Sequence, residues 1–313
     1  MSFISFLRLV EIQTKIASLF PFLIGSLFVI YKYEQLNIVN TLLFFVAMLL
    51  FDLTTTAINN YVDYQKASTA AFRQQHNVIG QIGIPLNRVR VTIFTMLIMS
   101  ISLSLWLVYR TDLLILLIGM LCFAIGIFYT FGPIPLSRMP LGEVFSGVTM
   151  GLGIIFLTVY INAYSEGIAN LTLEGSTVIF NANLILLIEI LIVALPSMLT
   201  IANLMLANNI CDLEDDIENR RFTLPYYIGK RRAIYLFNFL YSSAFVSVIV
   251  AVILEIVPIA LLGIVIVIYP IYQNVRKFNQ KQDKSLTFSL AGKNLVLMNG
   301  TIVILFMIAL LFT

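Results

Sequence analysis

Two groups of amide and carboxylate side chains interrupt an otherwise apolar chain of 313 residues. The first group runs from Asn59 to Asp63 and the second from Asn208 to Asp216, and each follows a long apolar segment. Carboxylate and carboxamide oxygens are hard ligands suited to Mg²⁺, which typically binds one or two carboxylates together with the phosphates of a substrate. The two groups therefore predict a magnesium-dependent site for a phosphorylated ligand.

In the first group the polar residues recur every three or four positions, so that on a helix they share one face. This stripe comprises Asp52, Thr56, Asn59 or Asn60, and Asp63. Asp52 lies roughly 10 Å along the helix from its end, at about 1.5 Å per residue. An ionisable side chain at that depth normally faces a protein interior or a wet cavity. A structural stripe that joins helices is the alternative, and this group alone does not decide between the two.

The second group repeats this pattern, because Asn208, Asp212 and Asp216 lie four residues apart. Five acids fall within positions 212–218, where like charges repel at helical spacing, so a cation is expected to compensate them. A solvated acidic loop balanced by the arginines that follow is the alternative. It accounts for the charges but not for the asparagines that precede them inside the apolar segment.

Lysines and arginines lie in the same two loops and could bind phosphate oxygens directly. They are Lys66, Arg73, Arg220, Arg221, Lys230, Arg231 and Arg232. Acids that organise a metal, neighbouring cations and a lipid-facing cavity together predict a prenyl diphosphate as the ligand. The amides expected to contact this substrate are Asn59, Asn60, Asn208 and Asn209.

The composition is that of an integral membrane protein, with 60% hydrophobic and only 11% charged residues. Soluble domains carry about 25% charged residues. Apolar runs of about 20 residues predict spanning helices, since barrel strands are about 10 residues long and alternate. We expect an all-α fold of nine spans around a central cavity, arranged as two tandem four-helix units plus one because the polar groups end spans two and six. The predicted spans are 13–31, 38–62, 91–109, 112–131, 142–164, 180–208, 233–254, 256–274 and 293–312.

The basic residues predict the orientation of these spans. Of the 19 Lys and Arg residues, all but Lys32 and Arg110 lie on one side of the predicted spans. The positive-inside bias places that side in the cytoplasm. We therefore expect a protein of the cell membrane with its N-terminus and both polar groups in the cytoplasm and its C-terminus outside.

Residues 1–313 are predicted to form a single transmembrane domain, with the cytoplasmic loops 63–90 and 209–232 as lids. Closure of such lids would exclude water from the reaction. The net charge of +3 requires no nucleic acid, because the basic residues flank spans, where they meet anionic lipid head groups. No segment is long and soluble enough to form a basic folded patch.

Three residues in or near the spans add further hypotheses. Lys15, about a turn into the first span, is interpreted as a contact for a diphosphate or an acceptor carboxylate, with Glu11 one turn earlier as its partner; snorkelling to the interface is the alternative. Tyr129, at the end of span four, could stabilise a carbocation with its π face or act as an interfacial anchor. Glu189, deep in span six, has no predicted role beyond an interior polar contact.

Several motifs, in order along the chain, resemble those of the UbiA-type intramembrane aromatic prenyltransferases, most closely the branch that acts on 1,4-dihydroxy-2-naphthoate. They are Val10–Lys15 followed by Ala17–Pro21, Tyr129–Pro135 with Pro140–Glu143, and Asn208–Asp216 followed by Arg220–Leu224 and Gly229–Lys230. The resemblance covers nearly the whole chain and implies nine spans with two facing acidic motifs. It implies that Asp63, Asp212 and Asp216 are catalytic and that, with Asn60, they bind Mg²⁺.

The resemblance also implies a reaction. Mg²⁺ held by the motifs binds the diphosphate of a polyprenyl diphosphate and aids its departure, an allylic carbocation forms in an apolar cavity, and the aromatic acceptor attacks it. In the naphthoate branch this gives demethylmenaquinone with loss of the acceptor's carboxylate, a step of menaquinone biosynthesis. The sequence leaves open the prenyl chain length, the acceptor, for which 4-hydroxybenzoate is the alternative, and the oligomeric state.

The first motif departs from the family pattern of Asn-Asp-x-x-Asp with a further Asp downstream. Asn60 stands in the place of the first Asp and Thr69 in that of the downstream one. A neutral carboxamide binds Mg²⁺ more weakly than a carboxylate, so catalysis could depend on the second motif, or the chain could be a weakly active or non-catalytic paralogue that binds isoprenoid lipid. A transporter would need polar residues across the full membrane thickness, whereas the outer halves of spans two and six are mostly apolar.

Overall fold

The structure, a computed structural model, describes residues 1–66, 77–130 and 136–312, apart from the side chains of Lys66 and Thr130. Helices dominate, as expected for a chain whose backbone N–H and C=O groups must be satisfied within lipid. In chain order the helices are α1 (Phe3–Leu9), α2 (Ile16–Tyr33), α3 (Ile38–Lys66), α4 (Val78–Ile82), α5 (Leu86–Arg110), α6 (Leu113–Thr130), α7 (Gly142–Ser146), α8 (Ile154–Ala163), α9 (Leu184–Cys211), α10 (Leu213–Glu218), α11 (Leu224–Ile228), α12 (Lys230–Ile253), α13 (Ile268–Gln280) and α14 (Phe288–Leu310).

Eight helical segments of this part of the chain are long and apolar enough to cross a membrane. They are Ile12–Tyr33, Ile38–Gln65, Leu86–Arg110, Gly142–Glu166, Leu184–Cys211, Lys230–Ile253, Ile259–Gln280 and Phe288–Leu310. The predicted fourth span, 112–131, contains a shorter apolar helix, Leu113–Tyr129. The multi-pass helical architecture is thus confirmed, while the count of nine spans remains a prediction.

One antiparallel hairpin departs from the predicted all-α fold. It pairs β1 (Ala169–Glu174) with β2 (Thr177–Ala182), and Gly175 in its turn has a φ of 62°. The left-handed backbone at this position favours glycine, which has no Cβ to clash. The hydroxyl of Tyr160 donates to the backbone carbonyl of Ala169 at 3.0 Å and ties the hairpin to the end of α8.

The sixth span begins later than predicted, because its predicted start at residue 180 lies within β2. Asn183 follows β2 and caps α9, since its Oδ1 accepts the backbone N–H of Ile185 at 3.0 Å. The span therefore starts at Leu184. Hydrophobicity alone does not separate the apolar residues of β2 from the apolar helix that follows.

Two compact units make up the described fold, and the first comprises Met1–Ile16 and Ile38–Pro135. Within it α3 packs along α5, and a buried hydroxyl joins them, since Ser100 Oγ donates to the carbonyl of Ala47 at 2.8 Å. The apolar core of this unit is formed by Leu9, Val10, Leu53, Ala57, Ile79, Ile84, Val89, Ile93 and Met96.

The second unit comprises Ala17–Asn37 and Leu136–Thr313. In it, α9 packs against α12, α14 and a π-helical segment, Gly147–Gly153. The close approach of that segment requires a glycine, because a Cβ on Gly151 would lie 2.5 Å from the Cα of Met198. This packing fixes the middle of α9, the helix whose C-terminal end carries the second polar group.

Candidate functional site

The first polar group lies at the end of α3, in the first unit. Asn60 is half-buried there and Asp63 is exposed. The amide of Asn60 donates to the carbonyl of Leu9 at 3.0 Å and to Oε1 of Glu11 at 3.1 Å, and its backbone carbonyl accepts from Nδ2 of Asn77 at 2.8 Å. Asn60 therefore joins α3 to both the N-terminal segment and the chain before α4. The sequence pattern does not predict a contact of Glu11 with this group.

Glu11 itself has a left-handed backbone, with a φ of 47°. This conformation is uncommon for a residue other than glycine. It separates α1 from the short 3₁₀ turn Ile12–Lys15. The expected pairing of Glu11 with Lys15 is therefore wrong, because the two residues do not share a face of one regular helix.

Lys15 is instead bound to the middle of α3. Its ammonium donates to Asp52 Oδ1 at 2.6 Å, to the carbonyl of Asp52 at 3.1 Å and to Thr56 Oγ1 at 2.6 Å. The side chain of Lys15 is 7% exposed and that of Asp52 16%. The expectation that Asp52 faces an interior is explained by this ion pair, whereas a contact of Lys15 with substrate remains a prediction.

The contacts of Asn60 yield a testable consequence. Asn60→Asp, which would install the acid found at this place in the resembling family, would set a carboxylate against the carboxylate of Glu11 and the carbonyl of Leu9. We expect it to lower the free energy of unfolding by about 1–3 kcal/mol, the typical cost of a polar group left unpaired. The measurement is thermal unfolding in detergent, monitored by the labelling of cysteine thiols as they become exposed.

Glu11→Gln combined with Asn60→Asp serves as the matched control, because the side-chain amide introduced at position 11 can donate to the new carboxylate. We expect this double variant to recover most of the lost stability. An Asn60→Asp protein as stable as the parent would contradict the structural role assigned to this amide.

The remaining candidates of the first unit are only partly defined. Lys66 is the last residue of α3, but its side chain is outside the described atoms, and Arg73 and Thr69 lie outside the described residues. Tyr129 is half-buried near the end of α6. The predicted lid 63–90 contains the end of α3, the short α4 and the start of α5.

The second polar group lies where α9 ends, in the second unit. Asp212 stands between α9 and α10 with φ −92° and ψ 6°, and its carbonyl accepts the N–H of Asp216 at 2.7 Å. The Nζ of Lys284, on the loop between α13 and α14, donates to Oδ1 of Asn208 and, at 2.5 Å, to Oδ2 of Asp212. One of the five acids, Asp212, is therefore paired with a lysine, which comes from a loop more than 70 residues away along the chain. The sequence pattern does not predict that Lys284 contacts the second polar group.

Asn209 is turned away from this pair and is fully buried. Its Nδ2 donates to Oε1 of Glu143, at the start of α7, at 2.8 Å. Within the described atoms, Asn209 Oδ1 and Glu143 Oε2 have no hydrogen-bond partner although both are buried. Buried polar atoms are normally hydrogen-bonded, so these two oxygens keep an unused capacity to accept a hydrogen bond.

Asp216, on α10, is 5% exposed and is bound on one side only. Nε of Arg221 lies 3.3 Å from its Oδ1, whereas Oδ2 has no hydrogen-bond partner among the described atoms. Burial raises the pKa of the Asp216 carboxyl, and the guanidinium of Arg221 opposes this. Arg220 and Lys230 are exposed, Arg220 with a left-handed φ of 55°.

The donor set of the second group suits a hard cation such as Mg²⁺. One oxygen of Asn208 and one of Asp212 already accept hydrogen bonds from a cation, the Lys284 ammonium. Oδ2 of Asp216 has no hydrogen-bond partner among the described atoms. The described residues contain no cluster of three or more His, Cys, Asp or Glu that could hold a metal. A site here would thus depend on amides and on substrate phosphates for its remaining ligands, which is typical of Mg²⁺.

The chain is similar in sequence to proteins of a known family. The sequence profile of the UbiA prenyltransferase family matches residues 18–311. A 1,4-dihydroxy-2-naphthoate octaprenyltransferase from Bacillus subtilis (strain 168) is 23% identical over 243 residues, which cover 77% of this chain and 71% of that protein.

Solved structures share the fold. A UbiA homolog from Aeropyrum pernix K1 superposes with a TM-score of 0.69 at 15% identity, covering 93% of this chain and 98% of the other. A UbiA homolog from Archaeoglobus fulgidus bound to DMAPP and Mg²⁺ gives a TM-score of 0.63 at 12% identity, covering 96% and 99%. A structure of digeranylgeranylglyceryl phosphate synthase gives 0.62 at 18% identity, covering 97% and 96%.

Proposed function

The chain belongs to the UbiA prenyltransferase family, and from this premise we propose that it transfers a polyprenyl group from a polyprenyl diphosphate to 1,4-dihydroxy-2-naphthoate, giving demethylmenaquinone. The observation that carries the proposal is the arrangement of Asn208, Asp212 and Asp216, whose oxygens either surround a cation or lie buried without a partner. The name of the Bacillus subtilis relative supports the choice of acceptor.

Asp212 and Asp216, with the amide of Asn208, are proposed to hold the metal. Mg²⁺ bound there would neutralise charge that develops on the diphosphate as the carbon–oxygen bond breaks. Stabilising that charge more strongly in the transition state than in the bound substrate is what raises the rate. Asp63 and Asn60 are proposed to contribute from the first group, with Asn59 contacting the substrate.

The cations near the second group are proposed to bind diphosphate oxygens. Arg220 and Lys230 are exposed, so binding a phosphate would not require breaking a buried contact. Arg221 already pairs with Asp216. We therefore propose that Arg221 positions this carboxylate and does not itself bind the diphosphate. We propose the same phosphate-binding role for Lys66 and Arg73 in the first loop.

Asn209 is proposed to present its buried oxygen to the substrate or its metal. Glu143 binds the amide nitrogen and thereby fixes which way the carboxamide points. The preformed orientation lowers the entropic cost of binding. Tyr129 and the nine-span arrangement around a cavity complete the proposal, with the tyrosine π face near the allylic cation.

An assay on membranes tests the proposal. Membranes carrying the protein are incubated with a radiolabelled polyprenyl diphosphate, Mg²⁺ and either 1,4-dihydroxy-2-naphthoate or 4-hydroxybenzoate, with and without EDTA. We expect a prenylated naphthoquinol that is lost when EDTA removes the metal. Transfer only to 4-hydroxybenzoate would identify this compound as the acceptor in place of the naphthoate. The absence of transfer to either compound would favour a non-catalytic isoprenoid-binding protein.

The location is proposed from the same premise and from the charge distribution. The protein is a multi-pass membrane protein. We propose that it lies in the cell membrane with its N-terminus and both polar groups in the cytoplasm and its C-terminus outside. Labelling of single cysteines introduced at the two ends, in intact and in opened cells, tests this orientation.

A further inference from the structure

Lys284 binds two side chains of the second group, Asn208 in the last turn of α9 and Asp212 just after that helix. Its ammonium donates to Asn208 Oδ1 and to Asp212 Oδ2, the latter at 2.5 Å. It also lies 4.8 Å from the centroid of the Phe288 ring, close enough for a cation–π contact. The Lys284 side chain is 48% exposed and that of Asp212 24%, so the pair is reachable from solvent.

A charged turn presents this lysine. Asp283 Oδ1 accepts the N–H of Ser285 at 3.0 Å, the hydroxyl of Ser285 at 2.7 Å and the N–H of Leu286 at 3.1 Å. Asp283 also pairs with Lys281 at 3.1 Å. The hydroxyl of Ser285, then Lys281, lower the pKa of Asp283 to about 2, so the carboxylate is charged at neutral pH and the turn keeps its shape.

We propose that Lys284 is an internal cation that occupies the oxygens of Asn208 and Asp212 in the free protein, competes with a divalent metal for them, and moves to the diphosphate when metal and substrate bind together. This inference rests on the proposed function. It adds a residue that neither the motifs of the sequence nor the polar groups themselves include.

The charges give the reason for the exchange. An ammonium bound to Asp212 would lie within a few ångströms of a divalent ion held by the same carboxylate, and the two cations repel each other at that distance. Lysine carries its charge on a flexible four-carbon stem with three donors. When a metal takes Asp212, the ammonium loses this partner, and the diphosphate of a bound substrate would offer it a new one.

The first test measures metal binding without any substrate. Free Mn²⁺ is counted by electron paramagnetic resonance in titrations of the detergent-purified protein. We expect Lys284→Met to bind Mn²⁺ about threefold to fivefold more tightly than the parent, the gain from removing a competing, partly exposed ion pair. Lys284→Arg, which keeps the charge and the donors, is expected to stay within about twofold.

The second test adds inorganic pyrophosphate at saturating Mn²⁺ and measures its binding by calorimetry. In contrast to its tighter binding of Mn²⁺, Lys284→Met is expected to bind pyrophosphate about tenfold more weakly than the parent. The reason is the loss of one charge-assisted hydrogen-bond donor. Lys277→Met is the matched control, since this exposed lysine on the last turn of α13 carries the same charge without a hydrogen bond to Asn208 or Asp212 within the described contacts. It is expected to leave both affinities within about twofold.

Two results would overturn the inference: unchanged or weaker Mn²⁺ binding by Lys284→Met, or unchanged pyrophosphate binding. A Lys277→Met effect as large as that of Lys284→Met would do the same, because it would show a diffuse charge effect. Lys284→Gln replaces Lys284→Met in both titrations if the latter does not fold. Neither titration uses prenyl transfer, so a protein that fails the membrane assay still tests the role of Lys284.

Discussion

Asp212→Asn is expected to lower the turnover number for prenyl transfer by about a thousandfold, or about 4 kcal/mol in activation free energy. The substitution keeps the size of the side chain and one oxygen but removes the negative charge. It weakens the proposed metal site and also removes the carboxylate that the Lys284 ammonium binds at 2.5 Å. The measurement is the initial rate at saturating polyprenyl diphosphate over a range of Mg²⁺ concentrations.

Glu214→Gln is the matched control for this prediction. Glu214 is exposed on α10, two residues along the chain, and the same change of acid to amide removes the same charge. We expect its turnover to stay within about threefold of the parent, as is usual for a surface substitution away from such contacts. If Asp212→Asn kept more than about a tenth of the parent rate, the metal could not depend on this carboxylate.

Lys15→Met is expected to lower the free energy of unfolding by about 3 kcal/mol, because it leaves the carboxylate of Asp52 without its cation inside the first unit. This lies at the lower end of the cost of breaking a buried pair, since Asp52 is 16% exposed. At about 2.1 cal/mol/K of unfolding entropy per residue, the loss corresponds to a fall in Tm of about 5 °C for this chain of 313 residues. A thiol-reactive fluorophore that labels Cys122 and Cys211 on heating follows the transition.

The double variant Lys15→Met with Asp52→Asn separates the two interpretations of this lysine. If Lys15 serves the fold, removing the carboxylate as well should recover about half of the lost stability, because no uncompensated charge is left. If Lys15 instead binds substrate, Lys15→Met would keep the parent Tm and raise the KM for the diphosphate. The three donors of Lys15 to α3 favour the first outcome.

The sequence predicts the helical elements well because lipid leaves the chain few choices. Eight of the nine predicted spans overlap helices long enough to cross a membrane. The errors fall where hydrophobicity carries no shape information, as between β2 and α9. There the apolar residues Val178, Ile179 and Phe180 of the strand lead toward an apolar helix, and the cap at Asn183 marks the boundary.

The composition of the candidate site was less predictable than its location. The asparagines and aspartates at the end of α9 could be identified from their spacing, but their partners could not. Glu143 and Lys284 lie 66 and 76 residues from the amides they contact, and no local pattern reports a contact at that separation. Glu11 was misassigned because its left-handed backbone breaks the helical spacing on which its expected pairing with Lys15 depended.

The β1–β2 hairpin has a practical use for imaging. A membrane protein of 35.3 kDa whose described residues form mostly membrane-length helices offers few features for particle alignment in electron microscopy. The turn between Glu174 and Thr177 is exposed, and the strands beside it are paired along their full length. An epitope grafted at Gly175 would therefore be displayed on a two-stranded stalk, more than 30 residues along the chain from Asn208, where an antibody fragment could bind as a fiducial.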